Sequence, residues 1–219
     1  MNRQEVRNRI EEVGIIPSVR VRSAEDAMFA AESVSRGGIP IVEVTLTVPD
    51  AEKVISHLVQ NGPDVIVGAG GVSDVETARR CLDAGAEFLT SDGLDPETVK
   101  FAVQQNVVII PGTLTPTEVL SAWKLGPDFV KVVPCAQVGG ASYIEALKAM
   151  FPMVPLIAAG GVTQQTASSF VLAGAVALGI GWRLIPREAI QMRQPDRIAE
   201  LARRFTGFVS SARREALGG

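Results

Sequence analysis

Phe129-Val130-Lys131-Val132-Val133-Pro134 is the stretch that decides how this chain is read. Its β-branched and aromatic residues, stopped by a proline, have the composition and the boundary of a short strand. Both alternating sets of positions are mainly apolar, so both faces of the strand are covered, as in a parallel sheet. Just upstream, Thr115-Pro116-Thr117-Glu118 has the order of an N-cap, a proline at the first helical position and a capping-box glutamate. Apolar residues then recur at threes and fours through Pro116–Leu125, which is helical spacing. The same spacing returns downstream in Ser142–Met150. A helix, a covered strand and a helix follow one another here.

Working outward, the alternation holds from one end to the other. Strand-like runs fall at Ile15–Val21, Ile39–Leu46, Val65–Gly68, Glu87–Thr90, Val107–Ile110, Phe129–Val133, Pro155–Ala158 and Ala175–Gly179. Amphipathic segments between them are Ala24–Arg36, Ala51–Asn61, Val75–Ala84, Pro96–Gln105, Pro116–Leu125, Ser142–Met150 and Gln164–Ala173. Ser23 offers an N-cap, and glycines at Gly37-Gly38, Gly62, Gly85, Gly126 and Gly174 offer helix ends. Strands that recur roughly every 20–27 residues predict an α/β fold, a (β/α)8 TIM barrel, with an open doubly wound sheet as the alternative. Asn2–Glu12 reads as an extra N-terminal helix and Pro195–Ala216 as a closing one. No linker or change of composition interrupts residues 1–219, which are read as one barrel domain.

Bulk composition narrows the function. The 219 residues are 47% hydrophobic and 21% charged, enough for one sizeable core, and the net charge of −3 provides no basic field for nucleic acid. Two cysteines make no disulfide framework, which with a polar N-terminus predicts a reducing cytoplasmic setting. The longest apolar stretch, Val171–Ile180, is interrupted by Gly174 and Gly179 and falls short of the roughly 20 residues that span a bilayer. No His, Cys, Asp or Glu cluster has metal-ligand spacing, so neither metal nor cofactor is expected.

In such a barrel, chemistry sits at the C-terminal ends of the strands. Lys131 is there on strand six. An ammonium in a dry wall is destabilised, and the neutral amine can attack a carbonyl to form a Schiff base; a lysine that snorkels outward or pairs with a carboxylate is the plain alternative. Glu43 stands inside Ile41-Val42-Glu43-Val44-Thr45-Leu46 and could move protons for such an imine, or simply pair with Lys131. Arg20, at the end of strand one, could grip a substrate carboxylate; since Arg22 is its near neighbour, one of the two is expected to face outward. Gly160-Gly161 after strand seven suits a phosphate cradle or a tight turn. Thr45, Gly70, Gly71, Pro111, Gly181 and Trp182 complete the strand-end candidates for substrate contact. His57 is expected on a helix surface, and Cys135 as a small pocket residue rather than a second nucleophile.

Taken together, these segments resemble the 2-keto-3-deoxy-6-phosphogluconate/4-hydroxy-2-oxoglutarate aldolases, the class I pyruvate aldolases. The resemblance runs from Ile15 to Pro186. It rests on Glu43-Val44-Thr45-Leu46, Gly68-Ala69-Gly70, Ile110-Pro111-Gly112-Thr113-Leu114-Thr115-Pro116, Val130-Lys131-Val132-Val133-Pro134 and Gly160-Gly161-Val162. It implies an imine between Lys131 and pyruvate, a proton shuttle at Glu43, Arg20 among the carboxylate contacts, no metal, and a homotrimer of barrels. It also marks departures. Thr47 stands where an arginine is common, Gly71 for a threonine, Asp92 for a proline, Val133 for an aromatic residue, Ala159 for a threonine and Trp182 for the phosphate-site serine. Trp182 in that place is expected to crowd a phosphate, and Asp92 to repel an anionic substrate if it faces the pocket. The implied reaction is cleavage of a 2-keto-3-deoxy (phospho)sugar acid or a 4-hydroxy-2-keto acid to pyruvate and an aldehyde. The departures leave open a different reaction of a 2-keto acid, such as decarboxylation or dehydration, and a non-catalytic trimeric barrel.

Overall fold

The computed structural model describes residues 1–62 and 65–218; Pro63, Asp64 and Gly219 of the domain span lie outside the described residues. Its order is α1 (Arg3–Val13), β1 (Ile15–Val19), α2 (Ala24–Arg36), β2 (Ile41–Thr45), α3 (Ala51–Asn61), β3 (Ile66–Gly70), α4 (Val75–Asp83), β4 (Phe88–Thr90), α5 (Pro96–Gln104), β5 (Val108–Ile110), β6 (Gly112–Thr113), α6 (Pro116–Trp123), β7 (Val130–Val132), α7 (Ala141–Met150), β8 (Leu156–Ala159), α8 (Ala167–Leu172), β9 (Ala177–Ile180), α9 (Arg187–Gln191) and α10 (Pro195–Gly218). All recorded strand pairs are parallel. The sheet runs β5-β4-β3-β2-β1-β9-β8-β7-β6, so its two ends are neighbours in the chain, separated by Pro111 alone. The sheet therefore returns on itself as a (β/α)8 barrel, with α1 as the extra N-terminal helix, and the open-sheet alternative fails.

The fifth strand is broken where a proline lacks the N–H a ladder needs. The break divides its pairing: β5 pairs with β4 and β6 with β7. Pro111 still contributes its carbonyl, which accepts the Lys131 N–H at 2.9 Å. The Gly112–Thr113 pairing carries the strand beyond the Val107–Ile110 run. β1 stops at Val19, two residues earlier than expected, because the Thr45 hydroxyl donates to the Val19 carbonyl and ends the ladder there. β3 runs on to Gly70, which is in register with Thr45 on one side and Thr90 on the other. α8 begins at Ala167 rather than Gln164, since Thr163 and Thr166 first close a turn, with Thr163 N–H donating to the Thr166 hydroxyl at 2.9 Å.

Caps act where the sequence put them. Ser23 accepts the Asp26 N–H, and Thr115 and Glu118 form a full capping box after which Pro116 opens α6. At the floor of the barrel, Arg3 Nε donates to both oxygens of buried Asp128 at 3.0 Å, tying α1 to the turn before β7. No described helix is long and apolar enough to cross a membrane.

Candidate active site

The C-terminal strand ends open onto a cavity of about 640 Å³. Lys131 lies at its base, only 7% exposed, and β7 alternation turns Lys131 and Val133 to the same, cavity-lining side. Its Nζ donates to Asp92 Oδ1 at 3.0 Å and, more weakly, to Thr90 Oγ1 at 3.5 Å. Glu43 on β2 is equally buried and also lines the cavity. Its Oε1 accepts from the Ser18 hydroxyl and its Oε2 from the Thr90 hydroxyl, both at 2.7 Å. A hydroxyl has one hydrogen, and Thr90 gives its hydrogen to Glu43; the lone pairs of Thr90 are left facing the amine. Lys131, Thr90 and Glu43 thus form one chain, and the direct Glu43–Lys131 pair that the sequence allowed is replaced by a link through Thr90.

Local sequence makes this geometry possible. Ser18 is the β1 partner of Glu43 in the ladder. Gly70 is required because a Cβ there would lie 2.5 Å from Glu43 Oε1. Gly68 likewise leaves space for the Phe88 ring. These two glycines make room for side chains of neighbouring strands.

Arg20 lines the cavity with its guanidinium largely in solvent, and its NH2 lies 3.6 Å from Asp92 Oδ2. Arg22 also lines the cavity, against the expectation that one of the two faces away. Alternation ceases with β1 at Val19, so it no longer separates them. Asp92 does face the cavity, between the two cations. Its partial burial would raise its carboxyl, but the Lys131 ammonium and then the Arg20 guanidinium outweigh that and hold it below the usual carboxylate range.

Gly160 and Gly161 line the cavity with φ of 80° and 89°. Side chains there would strike Pro134 and Ala136 respectively, so the turn is glycine-dependent for packing as well as conformation. Gly181 and Trp182 border the same space. The Trp182 ring is 63% exposed, and the Arg183 guanidinium stacks 3.9 Å above its centroid. Thr45, Gly70, Gly71 and Pro111 are not among the cavity-lining residues: Thr45 is buried on Val19, Gly70 backs Glu43, Gly71 faces solvent, and Pro111 is buried at the strand break. Sequence reasoning passed over Ser18 and Thr90, whose signal was only a hydroxyl on the alternation shared with the site. It also passed over Arg187, which begins a five-residue helix and lines the cavity.

Burial pushes the Cys135 thiol up to about 11, which leaves it unreactive near neutral pH. His57 is exposed on α3. Among the described residues no group of three or more His, Cys, Asp or Glu could hold a metal ion.

A lysine at the end of the sixth barrel strand, coupled to a buried glutamate, is matched by what the chain resembles as a whole. The family model "KDPG and KHG aldolase" matches residues 6–201. The chain belongs to that family. It is accordingly a class I, Schiff-base aldolase, a carbon–carbon lyase. A 2-dehydro-3-deoxy-phosphogluconate aldolase of Treponema pallidum is 34% identical over 83% of this chain and 86% of its own. The KHG/KDPG aldolase of Escherichia coli K12 is 30% identical over 86% of this chain and 89% of its own. Among solved structures, the KDPG aldolase of Legionella pneumophila, in which pyruvate is captured as a covalent carbinolamine, superposes with a TM-score of 0.83 at 29% identity, covering 90% of this chain and 96% of that one.

Proposed function

We propose that this chain cleaves a 2-keto-3-deoxy sugar acid, its phosphorylated form or a 4-hydroxy-2-keto acid to pyruvate and an aldehyde, with Lys131 as nucleophile and Glu43 as proton carrier. The observation that carries this reading is the hydrogen-bonded chain from Lys131 Nζ through Thr90 to Glu43 at the base of the cavity. Neutral Nζ attacks the keto carbon; the carbonyl oxygen takes one proton from the attacking nitrogen and a second from Glu43, and leaves as water, giving an iminium. The substrate's C4 hydroxyl then loses its proton, the C3–C4 bond breaks, and its electron pair enters the iminium to form an enamine as the aldehyde departs. C3 takes a proton, and water hydrolyses the new iminium to pyruvate and free Lys131. Glu43, exchanging protons directly or through Thr90, serves the proton transfers.

Arg22, Arg183 and Arg187 line the same cavity as Gly160 and Gly161. That charge favours an aldehyde half ending in a phosphate or carboxylate. The exposed Trp182 ring bounds this region and brings Arg183 with it, so the exchange of serine for tryptophan replaces a hydroxyl donor with a guanidinium. The homotrimer implied by resemblance belongs to the same proposal; light scattering at three chain masses supports it.

The test is borohydride reduction in the presence of pyruvate, followed by peptide mass mapping. A reduced pyruvyl adduct on Lys131, absent from a folded Lys131→Ala variant, supports the reading. No adduct from neutral to alkaline pH overturns it. Product analysis over a panel of 2-keto acids separates retro-aldol cleavage from decarboxylation or dehydration and identifies the aldehyde half.

A further inference from the structure

Among the described residues Asp92 is the one carboxylate in hydrogen-bond contact with the Lys131 amine, and it is not part of the proton relay. We propose that Asp92 is a positioning residue that competes with substrate: its carboxylate ties Lys131 to Arg20 in the resting site, and an imine forms only after the substrate carboxylate takes Arg20 and Asp92 releases Lys131. The inference rests on the reading of Lys131 as the Schiff-base residue.

The backbone that carries Asp92 is held in place. The Ser91 hydroxyl donates to the Gly93 carbonyl at 2.6 Å and accepts the Gly112 N–H at 3.3 Å. A Cβ on Gly112 would lie 2.5 Å from the Asp92 carbonyl carbon, so the broken fifth strand packs directly against this turn. From there the side chain crosses the mouth, one oxygen toward Lys131 at 3.0 Å and the other toward Arg20 at 3.6 Å.

The two ends of the Lys131–Asp92 pair are unequal. The Lys131 side chain is 8% exposed and Asp92 57%. Lys131 is confined to the base of the cavity, whereas Asp92 can turn outward and be hydrated with little loss. Asp92 is therefore the half that moves. While it stays, its oxygen occupies the amine at 3.0 Å, and that contact must break before Nζ can reach a keto carbon. A substrate carboxylate on Arg20 removes the second tether of Asp92 and sets a like charge against it. Both effects favour release at the moment a 2-keto acid is bound. The other charged groups around the amine do not substitute for Asp92. Glu43 reaches it through Thr90, Asp26 at the head of α2 is paired to Arg193 at 2.9 Å, and Arg22, Arg183 and Arg187 line the cavity as further cations.

The experiment is cyanoborohydride trapping of pyruvate on Lys131 across pH, comparing the full chain with near-isosteric Asp92→Asn and with Asp92→Ala. Loss of the anion moves half-maximal trapping about one pH unit toward acid. The pyruvate concentration for half-maximal trapping falls about threefold as Arg20 becomes free, and the plateau rate stays within about threefold. An unmoved pH profile, or a plateau lower by more than that in both variants, overturns the inference. If no form traps any keto acid, the Schiff-base reading fails on its own. Asp92 is then judged by acetic anhydride labelling of Lys131 against pH. The same shift in Asp92→Asn supports its hold on the amine, and no shift overturns it.

Discussion

Glu43 and Asp92 are two carboxylates beside one amine, and the barrel holds them in opposite ways. Glu43, in the inner wall, is buried, and its oxygens accept from two neutral hydroxyls, Ser18 and Thr90. Asp92, on the rim, is half-exposed and divides its oxygens between two cations, Lys131 and Arg20. The hydroxyls that meet Glu43 carry no charge, so a proton moves to or from it without parting an ion pair. A carboxylate between cations is committed to being an anion. The wall therefore suits proton transfer, and the rim suits recognition of charge.

The largest effect that tests this division is on Glu43. Glu43→Gln keeps the shape and removes the base, so kcat for cleavage falls about 10²–10³-fold with KM within a few-fold. Steady-state kinetics on the 2-keto acid that the product analysis identifies checks it, and Asp92→Asn must show no such fall. Equal losses in the two variants would break the comparison. Thr90 comes next. Thr90→Val cuts the link between the amine and Glu43 and leaves Glu43 Oε2 short of a donor, at a cost of about 1–3 kcal/mol in stability. A roughly tenfold lower kcat accompanies it, less than the ~10²–10⁴-fold of a lost acid–base group because Glu43 itself remains. Thr90→Ser restores both the urea midpoint and the rate, which a merely space-filling role for the threonine methyl would not allow. On the outer rim, Arg183→Ala or Arg187→Ala raises KM about three- to tenfold with kcat unchanged, since each removes one charge-assisted contact to the aldehyde half. The defect shrinks as salt screens the wild-type site. A fall in kcat instead would place these arginines with the wall.

Lys131 and Glu43 were legible because a charge inside a β-branched run is rare enough to need a reason. The barrel was legible because strand and helix periods alternate without a gap. Ser18 and Thr90 were not. A hydroxyl in a strand is ordinary, and what gives these two a role is register: Ser18 opposite Glu43, and Thr90 opposite Gly70. Periodicity tells which face a residue takes but not which residue of the next strand it meets. The glycines of β3 show the same limit, because the reason for Gly70 is the volume of a carboxylate on another strand. Arg20 and Arg22 were misjudged by extending alternation past the point where the ladder ends. The five-residue α9, which brings Arg187 to the cavity, is too short to show a period at all.

The smallest effect that separates the two carboxylates lies in acid stability. Asp92 is held below its ordinary value of 3.8, so in this region of pH the unfolded chain binds a proton that the folded chain resists. Stability then rises with pH: the increment from Asp92 is present above about pH 4 and is lost as pH falls through the folded value. Because the side chain is half in water, the increment is small and shows only as a difference. Asp74, Glu118 and Glu200 are shifted in the same direction by their own caps and pairs, but they are common to wild type and variant and cancel. Urea midpoints of wild type and Asp92→Asn, followed from pH 6 downward, are therefore expected to converge below about pH 4, with the wild type falling more steeply. A gap that stays constant through that range would mean that the variant loses packing or a neutral hydrogen bond, and that Asp92 is not held as an anion by Lys131 and Arg20.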